Sequence, residues 1–295
     1  MSKFDLDRME RLPLAWPDYD KMSMDGVMTG ATADYWPTLR LLAYACREAR
    51  TDLAVWDFGL TDSQRAALLG MGRVWISKNY RTYARSLAEI EADRGNVGIR
   101  VSETWLKPML CVDSPFRTTV WIDADAVPIR GLYRLMERAA EGPFLTADSF
   151  VSPQYAYDTY VPLLQALYGR VPENYERVYR CNTGVFGFHS AAPFLEQWER
   201  TGRDIAGWPN LARLCGLGDQ AMLVAMMSIL PDMAPPMIED PAWNCPANGL
   251  QIENRKHRVR YRMDQPVEAV FDALRYDHRR ALVVHWMGHP KPWHD

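Results

Sequence analysis

The stretch TTVWIDADAVP, residues 118–128, carries an apolar run directly into the acidic pair Asp123 and Asp125. The run TTVWI is typical of a buried strand, so both carboxylates are predicted to stand at a strand's carboxyl end. Neighbouring carboxylates that lose hydration repel each other, which favours a bound cation. Hard divalent cations take carboxylate oxygens and keep positions for phosphate oxygens. The stretch therefore predicts a metal–diphosphate site on an α/β sheet, although a strand-end pair facing solvent or a helix N-terminus also fits these residues.

Apolar strands and amphipathic helices alternate on both sides of this stretch, which predicts one doubly wound α/β domain with ligand at the strands' carboxyl ends. Thr61 and Gln64 form a capping-box signature. The Pro- and Asn-rich stretch 231–265 is predicted as extended loops. Strands are predicted at 26–31, 53–58, 73–77, 118–123, 143–148, 181–188 and 281–286, and helices at 35–49, 62–70, from Ser102 through Cys111, and at 129–141, 158–169, 193–203 and 220–230.

The composition is that of a soluble globular protein. The 295 residues are 48% hydrophobic and 24% charged, and the formal net charge of −3 gives no basic excess for nucleic acid or an anionic membrane. The N-terminal sequence MSKFDLDRMERLP does not resemble a signal peptide, and no apolar run approaches the length of a membrane span. Five widely spaced cysteines without a C-x-x-C pair predict a reducing, cytoplasmic location.

An Asp-x-Asp pair alone is a weak signal, because the chain also contains Asp5/Asp7 and Asp18/Asp20 in its polar N-terminal segment. The sequence DADAV also matches the D-x-D-x-[TV] pattern of haloacid-dehalogenase-like phosphatases. In that alternative Asp123 is a nucleophile and Asp125 an acid/base. The remainder of the chain has to distinguish the two interpretations.

The C-terminal stretch HWMGHPKPW, residues 285–293, resembles the H-x-x-G-x-x-K-P-W motif that closes members of glycosyltransferase family 8. This family includes glycogenin and bacterial lipopolysaccharide galactosyltransferases. DAD (123–125), NTGVF (182–186) and GDQ (218–220) resemble further motifs of the family, in the same order. VMTGATADYW (27–36) and WDFGLTDSQ (56–64) resemble its first two strands and the turns that follow them. The resemblance covers about residues 25–293.

The resemblance implies a GT-A fold, which is a single Rossmann-like α/β domain with a mixed, mostly parallel central sheet. This domain is expected over residues 25–295, after an N-terminal extension of residues 1–24. The implied activity is a retaining transfer of a hexose-type sugar from a UDP-sugar donor. Mn²⁺ or Mg²⁺ is the implied cofactor, and a mixed oxygen and nitrogen ligand set suits Mn²⁺ at least as well as Mg²⁺. The implied metal ligands are Asp123, Asp125 and His285.

The resemblance also assigns candidate residues to the donor and to the chemistry. Asp219 and Gln220 are the candidate catalytic residues, although Asp219 also suits the cap of the helix at 220–230. Lys107 and Lys291 would place positive charge near the diphosphate. The chain departs from the family at Val224, where an Asn is usual, and at Thr32 and Ala33 in the nucleotide loop. The candidate donor-binding residues are Thr29, Ala31, Tyr35, Lys107, Asp123, Asn182, Gly184, Gly288 and Lys291.

The acceptor is not defined by the sequence, and a saccharide, a lipid-linked glycan, a small molecule and a protein all remain open. The variable stretches 149–180 and 231–265 are the expected acceptor loops. A transferase accounts for all the motifs, whereas a phosphatase leaves the C-terminal motif unexplained. A sugar nucleotidyltransferase is disfavoured because no Gly-rich phosphate loop occurs near the N-terminus. A non-catalytic nucleotide-sugar-binding protein on the same fold is the remaining alternative.

Overall fold

The computed structural model describes residues 14–83, 89, 103–148, 151–247, 263–287, 291 and 293. Its central sheet has seven strands in the order β3-β2-β1-β4-β7-β6-β8. Strands β1 to β4 are mutually parallel, β7 runs antiparallel to both β4 and β6, and β8 runs parallel to β6. The strands of this sheet are β1 (Asp25–Ala31), β2 (Asp52–Asp57), β3 (Val74–Ser77), β4 (Thr118–Ile122), β6 (Phe144–Ala147), β7 (Cys181–His189) and β8 (Met237–Ile238).

A smaller sheet of three strands lies beside the carboxyl end of β4. Its order is β5-β10-β9, with β10 antiparallel to β5 and parallel to β9. The sequence predicts only the last of these three strands, because the other two are too short to show an alternating pattern. The strands are β5 (Ala126–Pro128), β9 (Cys245–Pro246) and β10 (Val283–His285).

Helices cover both faces of the central sheet, so the predicted mixed, mostly parallel α/β fold is confirmed. None of the helices in the described ranges is both long enough and apolar enough to cross a membrane. The helices are α1 (Trp36–Glu48), α2 (Asp62–Gly70), α3 (Lys107–Val112), α4 (Leu132–Glu141), α5 (Pro153–Tyr168), α6 (Tyr175–Val178), α7 (Pro193–Gly207), α8 (Pro209–Leu214), α9 (Asp219–Ile229) and α10 (Val267–Asp277).

Successive residues of a strand enter opposite cores, because side chains alternate across a sheet. Val27 of β1 belongs to the core that includes residues of α1 and α4, whereas Met28 belongs to the core that includes residues of α3, α5, α7 and α9. Trp16, from the segment before β1, belongs to the second core; its ring centroid lies 4.3 Å from that of Trp56, and its Nε1 donates to the carbonyl of Asp113 over 3.0 Å. The sheet is thus buried on both faces, which leaves its strand ends to form a site.

Several element boundaries differ from the sequence-based predictions for local reasons. Helix α4 begins at Leu132 instead of 129, because Gly131 adopts a left-handed φ of 62° after β5. Helix α5 begins at Pro153 instead of 158, with the Ser152 hydroxyl accepting from the Tyr155 amide over 3.1 Å. The capping box of Thr61 and Gln64 is confirmed. Helix α10 is not predicted, and Ser102 lies outside the described residues.

Candidate active site

Asp125 and His285 meet because β5 and β10 are paired. His285 lies opposite Ala126 in the antiparallel register, and the Trp286 amide donates to the carbonyl of Asp125 over 3.0 Å. The His285 Nε2 lies 3.1 Å from the Asp125 Oδ1. On the other side of the ring, Nδ1 lies 2.9 Å from the Asn244 Oδ1. Backbone pairing over a separation of 160 residues therefore builds this part of the site.

Asp123 lies just beyond β4 and is held by a different set of groups. Its amide donates to the carbonyl of Gly184 over 2.8 Å, which ties it to β7. Its Oδ1 accepts from the Trp121 Nε1 over 2.6 Å and from the Lys107 Nζ over 2.8 Å. One ligand atom each from Asp123, Asp125 and His285 lie within 4.8 Å of one another. Two carboxylate oxygens and an imidazole nitrogen at this spacing fit a divalent cation.

Gly184 on β7 makes room for this cluster. A Cβ at this position would overlap the ring of His285 and would lie 2.8 Å from the Asn182 Oδ1. Glycine is therefore required here by close approach, not by backbone conformation. The sequence-based assignment of Gly184 to the donor pocket remains a prediction, while its packing against His285 is a direct contact.

Two buried lysines neutralise the acidic groups. The Lys291 Nζ contacts the Asp125 Oδ2 and the carbonyl of Trp286. The Lys107 Nζ lies between the Asp123 Oδ1 and the Asp219 Oδ2, at 2.8 and 2.7 Å, and donates to the carbonyl of Thr183 over 3.0 Å. Each carboxylate of the acidic pair thus has its own lysine, and Lys107 also links Asp123 to the start of α9.

These charges move the pKa values of the buried groups in different directions. Burial would raise the pKa of Asp125, but the charges and hydrogen bonds of His285 and Lys291 outweigh burial and hold that pKa well below its usual value. Burial, together with the nearby charge of Asp123, raises the pKa of Asp219 despite the opposing charge of Lys107. Burial would lower the pKa of Lys107, but its two aspartates raise it. Asp125 is thus stabilised as an anion, whereas ionisation of Asp219 is costly.

The polar groups next to the acidic cluster come from β7, α9 and the end of β6. The Asn182 Nδ2 lies 3.5 Å from both the Asp148 Oδ2 and the Gln220 Oε1. The Gln220 Nε2 donates to the Tyr160 Oη over 2.7 Å. Asn182, Asp148 and Gln220 are all buried. Of the two candidate catalytic residues, Asp219 therefore lies beside the acidic cluster through Lys107, and Gln220 lies beside the Asn182 amide.

The remaining predicted donor-binding residues lie in β1, in the turn that follows it and near the C-terminus. Thr29 and Ala31 are buried in β1, and in the described part of the chain the Thr29 Oγ1 has no hydrogen-bond partner. The Lys291 Nζ lies 6.0 Å from the centroid of the half-buried Tyr35 ring, which itself meets the Trp293 ring edge-on at 6.4 Å. Gly288 lies outside the described residues.

Sequence reasoning missed three polar residues of the site. Asp148 follows the apolar strand β6, so it carries the same signal as Asp123: a carboxylate at the end of a buried strand. Asn244 lies in the predicted loop region, and Tyr160 lies within α5, where no local pattern distinguishes either from neighbouring polar or aromatic residues. Next to Asn244, the Trp243 ring packs edge-on against Phe144 with 5.8 Å between ring centroids.

Comparison with known proteins gives structural matches only. No protein-family model and no curated protein matches the sequence. The galactosyltransferase LgtC, solved in complex with donor and acceptor sugar analogues, superposes with a TM-score of 0.57 at 17% identity, covering 92% of this chain and 90% of LgtC. The chain has the fold of LgtC. An active-site mutant of LgtC, with a glutamine changed to glutamate, matches with a TM-score of 0.52 at 16% identity over the same 92% and 90% of the two chains.

These matches confirm the fold expected from the resemblance to glycosyltransferase family 8, of which LgtC is a member. They cover 92% of this chain, so the likeness concerns the fold as a whole and not one part of it. A shared fold does not by itself fix an activity, so the chemistry has to be argued from the residues of the site.

Proposed function

We propose that this protein is a metal-dependent, retaining glycosyltransferase that moves a hexose-type sugar from a UDP-sugar donor to an acceptor. The observation that supports it most strongly is the convergence of Asp123, Asp125 and His285 at the carboxyl end of β4. Two lysines flank this trio on an LgtC-like fold. Carboxylates, an imidazole and cationic side chains together suit a diphosphate bound through a divalent cation.

Mn²⁺ or Mg²⁺, held by Asp123, Asp125 and His285, would supply Lewis acidity to the leaving diphosphate. Lys291 would add a point charge to the phosphate oxygens after leaving the Asp125 carboxylate, whose charge a bound divalent cation would then balance. Lys107 would hold Asp123 in place through the contact that it already makes. Burial of both lysines strengthens these interactions, because the effective dielectric constant is low there.

The sugar side of the site would use Asp219, Gln220 and Asn182. Breaking a glycosidic bond to phosphate develops positive charge on the sugar, which carboxylate and amide oxygens stabilise. Asp219 and Gln220 begin α9, beside the lysine that contacts Asp123. LgtC has a glutamine in its active site, which supports Gln220 as a candidate for the same position. Asp148 adds a further buried carboxylate next to Asn182.

The phosphatase alternative is disfavoured by the contacts of one of its two key groups. Asp123 does not decide between the alternatives, because Lys107 and Trp121 contact only its Oδ1. Asp125 would have to exchange protons, but Lys291 and His285 stabilise it as an anion. The departure at Val224 does not favour the non-catalytic alternative. This residue is fully buried in α9, so the absence of an Asn there removes no group from the site described above.

The acceptor and the cellular setting are part of the same proposal. We propose a single domain over residues 25–295, with the nucleotide-sugar donor as its main partner and no nucleic acid. LgtC binds an acceptor sugar analogue, which favours a saccharide acceptor here. All five cysteines are free thiols, which is compatible with the cytoplasmic location expected from the sequence.

Isothermal titration of UDP, with and without Mn²⁺, tests this proposal directly. Wild type is expected to bind UDP only when Mn²⁺ is present. Asp125→Ala is expected to lose this Mn²⁺-dependent binding of UDP. Asp20→Ala is the matched control, because Asp20 belongs to the exposed Asp18/Asp20 pair of the same pattern. Metal-independent UDP binding would contradict the metal site. Binding without hydrolysis or transfer across a UDP-sugar and acceptor panel would favour the non-catalytic protein.

A further inference from the structure

Asn244 connects the metal ligand His285 with the amide of Asn182. Its side chain is almost fully buried, with 1% of the residue exposed, and its amide group contacts Thr146, Asn182 and His285. We infer that Asn244 is a positioning residue that fixes the protonated nitrogen of His285 and the orientation of the Asn182 amide together. This inference rests on the proposed function, because it concerns the ligand His285 of the proposed metal site.

The hydrogen positions follow from two backbone groups of β7. The Gly184 amide can only donate, and it lies 2.7 Å from Asn182, so the facing atom is the Asn182 Oδ1. The Val185 carbonyl can only accept, so the Thr146 hydroxyl donates its proton there over 2.7 Å. The Asn182 Oδ1 and the Thr146 Oγ1 therefore both act as acceptors toward the second group that they contact, which is the same for both.

That second group is the Asn244 Nδ2. It donates to the Asn182 Oδ1 over 2.9 Å and to the Thr146 Oγ1 over 3.1 Å, which uses both of its hydrogens. The Asn244 Oδ1 is consequently directed at His285 and cannot exchange places with Nδ2. Since this oxygen only accepts, the His285 Nδ1 must be the donor across their 2.9 Å contact. The proton of His285 is thus assigned to Nδ1 by an unbroken chain of obligatory donors and acceptors.

A proton fixed on Nδ1 leaves Nε2 as the nitrogen that faces Asp125, at 3.1 Å from its Oδ1. With Nδ1 committed to Asn244, Nε2 is the nitrogen through which His285 can bind a metal, once any proton that it shares with Asp125 has left. The opposite tautomer would place two lone pairs in contact at Asn244. Asn244 therefore orients His285 so that Nε2, and not Nδ1, is turned toward the carboxylates.

The same contacts orient the second amide. Because the Asn182 Oδ1 accepts from Gly184 and Asn244, the Asn182 Nδ2 is left to face Asp148 and Gln220. The proposed sugar pocket is thereby offered an amide donor at this point. One buried side chain thus sets the chemistry of two neighbouring subsites.

Asn244 is itself held by backbone bonds on both sides. The Leu282 amide donates to the Ala242 carbonyl over 2.7 Å, and the Ala247 amide donates to the His285 carbonyl over 2.8 Å. β9 also pairs with β10 in the register Cys245–Val284. These main-chain contacts fix the backbone of Asn244 relative to that of His285. The position of Asn244 therefore does not depend on its hydrogen bond to the His285 ring.

Nitrogen NMR of the histidine rings in the metal-free protein tests the inference, combined with Mn²⁺ affinity measured from the EPR signal of free Mn²⁺. Wild type is expected to carry a hydrogen-bonded proton on the His285 Nδ1. Asn244→Leu, which removes the acceptor, is expected to lose this signal and to weaken Mn²⁺ binding by about 10- to 100-fold. Asn244→Asp keeps an acceptor for Nδ1 and is expected to retain the Nδ1 proton, although it loses the donor that contacts Asn182 and Thr146.

Thr146→Val is the conservative companion variant, because it leaves Asn244 and His285 in place but removes one acceptor of the Asn244 Nδ2. We expect it to shift the side-chain amide signals of Asn182 and Asn244 while retaining the Nδ1 proton. It also keeps the test decisive if Asn244→Leu unfolds, which circular dichroism would reveal.

Two results would overturn the role of Asn244: a wild-type His285 protonated only on Nε2, or a folded Asn244→Leu variant that keeps the Nδ1 proton signal and the wild-type affinity for Mn²⁺. The ring measurement needs no metal. Failure of wild type to bind Mn²⁺ would therefore reject the proposed metal site, while the proton position would still decide what Asn244 does.

Discussion

Asp123 and Asp125 are two residues apart, but they belong to two different regions of the molecule. Asp123 is held by central-sheet neighbours, and its side chain is 29% exposed. Asp125 faces the small sheet, where β10 and the C-terminal Lys291 leave its side chain only 12% exposed. The Asp123 carboxylate is held at the end of β4 by Trp121 and Lys107, which precede it in the chain. The Asp125 carboxylate is held by His285 and Lys291, which lie more than 150 residues later. A short motif can therefore place its two acids under separate structural control.

Replacing each acid by its amide should separate these roles most clearly. Asp125→Asn and Asp123→Asn are both expected to lower turnover by about 10³-fold, since each removes a charged ligand of a Lewis acid worth several kcal/mol. Only Asp125→Asn should also lower the free energy of unfolding substantially, by about 3 kcal/mol, because Lys291 is left buried without its carboxylate. Equal losses of stability in urea titrations would show that the two regions do not differ.

Lys107→Met tests the central-sheet side of the comparison. Asp219 would lose its counter-ion, and the free energy of unfolding at neutral pH should fall by about 3 kcal/mol. Asp219 already has a raised pKa, and the raised value means that its folded form binds a proton more readily than the unfolded chain. Stability from this group is present at low pH and is lost as the pH rises through the folded pKa.

The difference in stability between Lys107→Met and wild type should therefore narrow as the pH is lowered from neutral. Lys78→Met is the matched control, because its 3.6 Å pair with Asp57 is largely solvent-exposed on the lysine side. That variant should cost less than about 1 kcal/mol. A loss for Lys107→Met that does not change with pH would exclude Asp219 as its source.

Gly184→Ala should displace the His285 ring from its present position. The added methyl group would overlap that ring, so Mn²⁺ affinity is expected to fall by about 10- to 100-fold, a loss typical of displaced metal-site partners. Gly70→Ala is a suitable control, because a Cβ there meets no atom within 4 Å, and it should be neutral or slightly stabilising. Unchanged Mn²⁺ affinity in Gly184→Ala, measured by EPR, would mean that the ring has room to move.

Trp121→Phe should have the smallest effect of the series. It removes the Nε1 donor to the Asp123 Oδ1 but keeps an aromatic ring under Lys107. Loss of one hydrogen bond is worth about 1 kcal/mol, so Mn²⁺ affinity should fall about fivefold. Trp75→Phe is the control, since the Trp75 Nε1 has no hydrogen-bond partner among the described residues. If both substitutions changed Mn²⁺ affinity equally, the hydrogen bond from Trp121 to Asp123 would have no role in metal binding.

Much of the fold and the acidic trio were predictable because their signals are local or motif-like. The strands that end at Ala31 and Ile122 are apolar runs, and the Thr61 cap lies next to its partner. Asn244 gave no such signal, because its contacts reach across 62 residues to Asn182 and 98 to Thr146. Strand β5 was hidden for the same reason: three residues become a strand only when β10 pairs with them.

The pairing of β5 with β10 also sets an order of events during synthesis. The last strand of the central sheet ends at Ile238, whereas His285 is added 47 residues later (285 − 238). A nascent chain can therefore contain every strand of its main sheet before it contains His285. Proteolytic clipping or premature termination after Ile238 would yield a polypeptide that retains these strands and lacks the His285 and Lys291 side chains that contact Asp125.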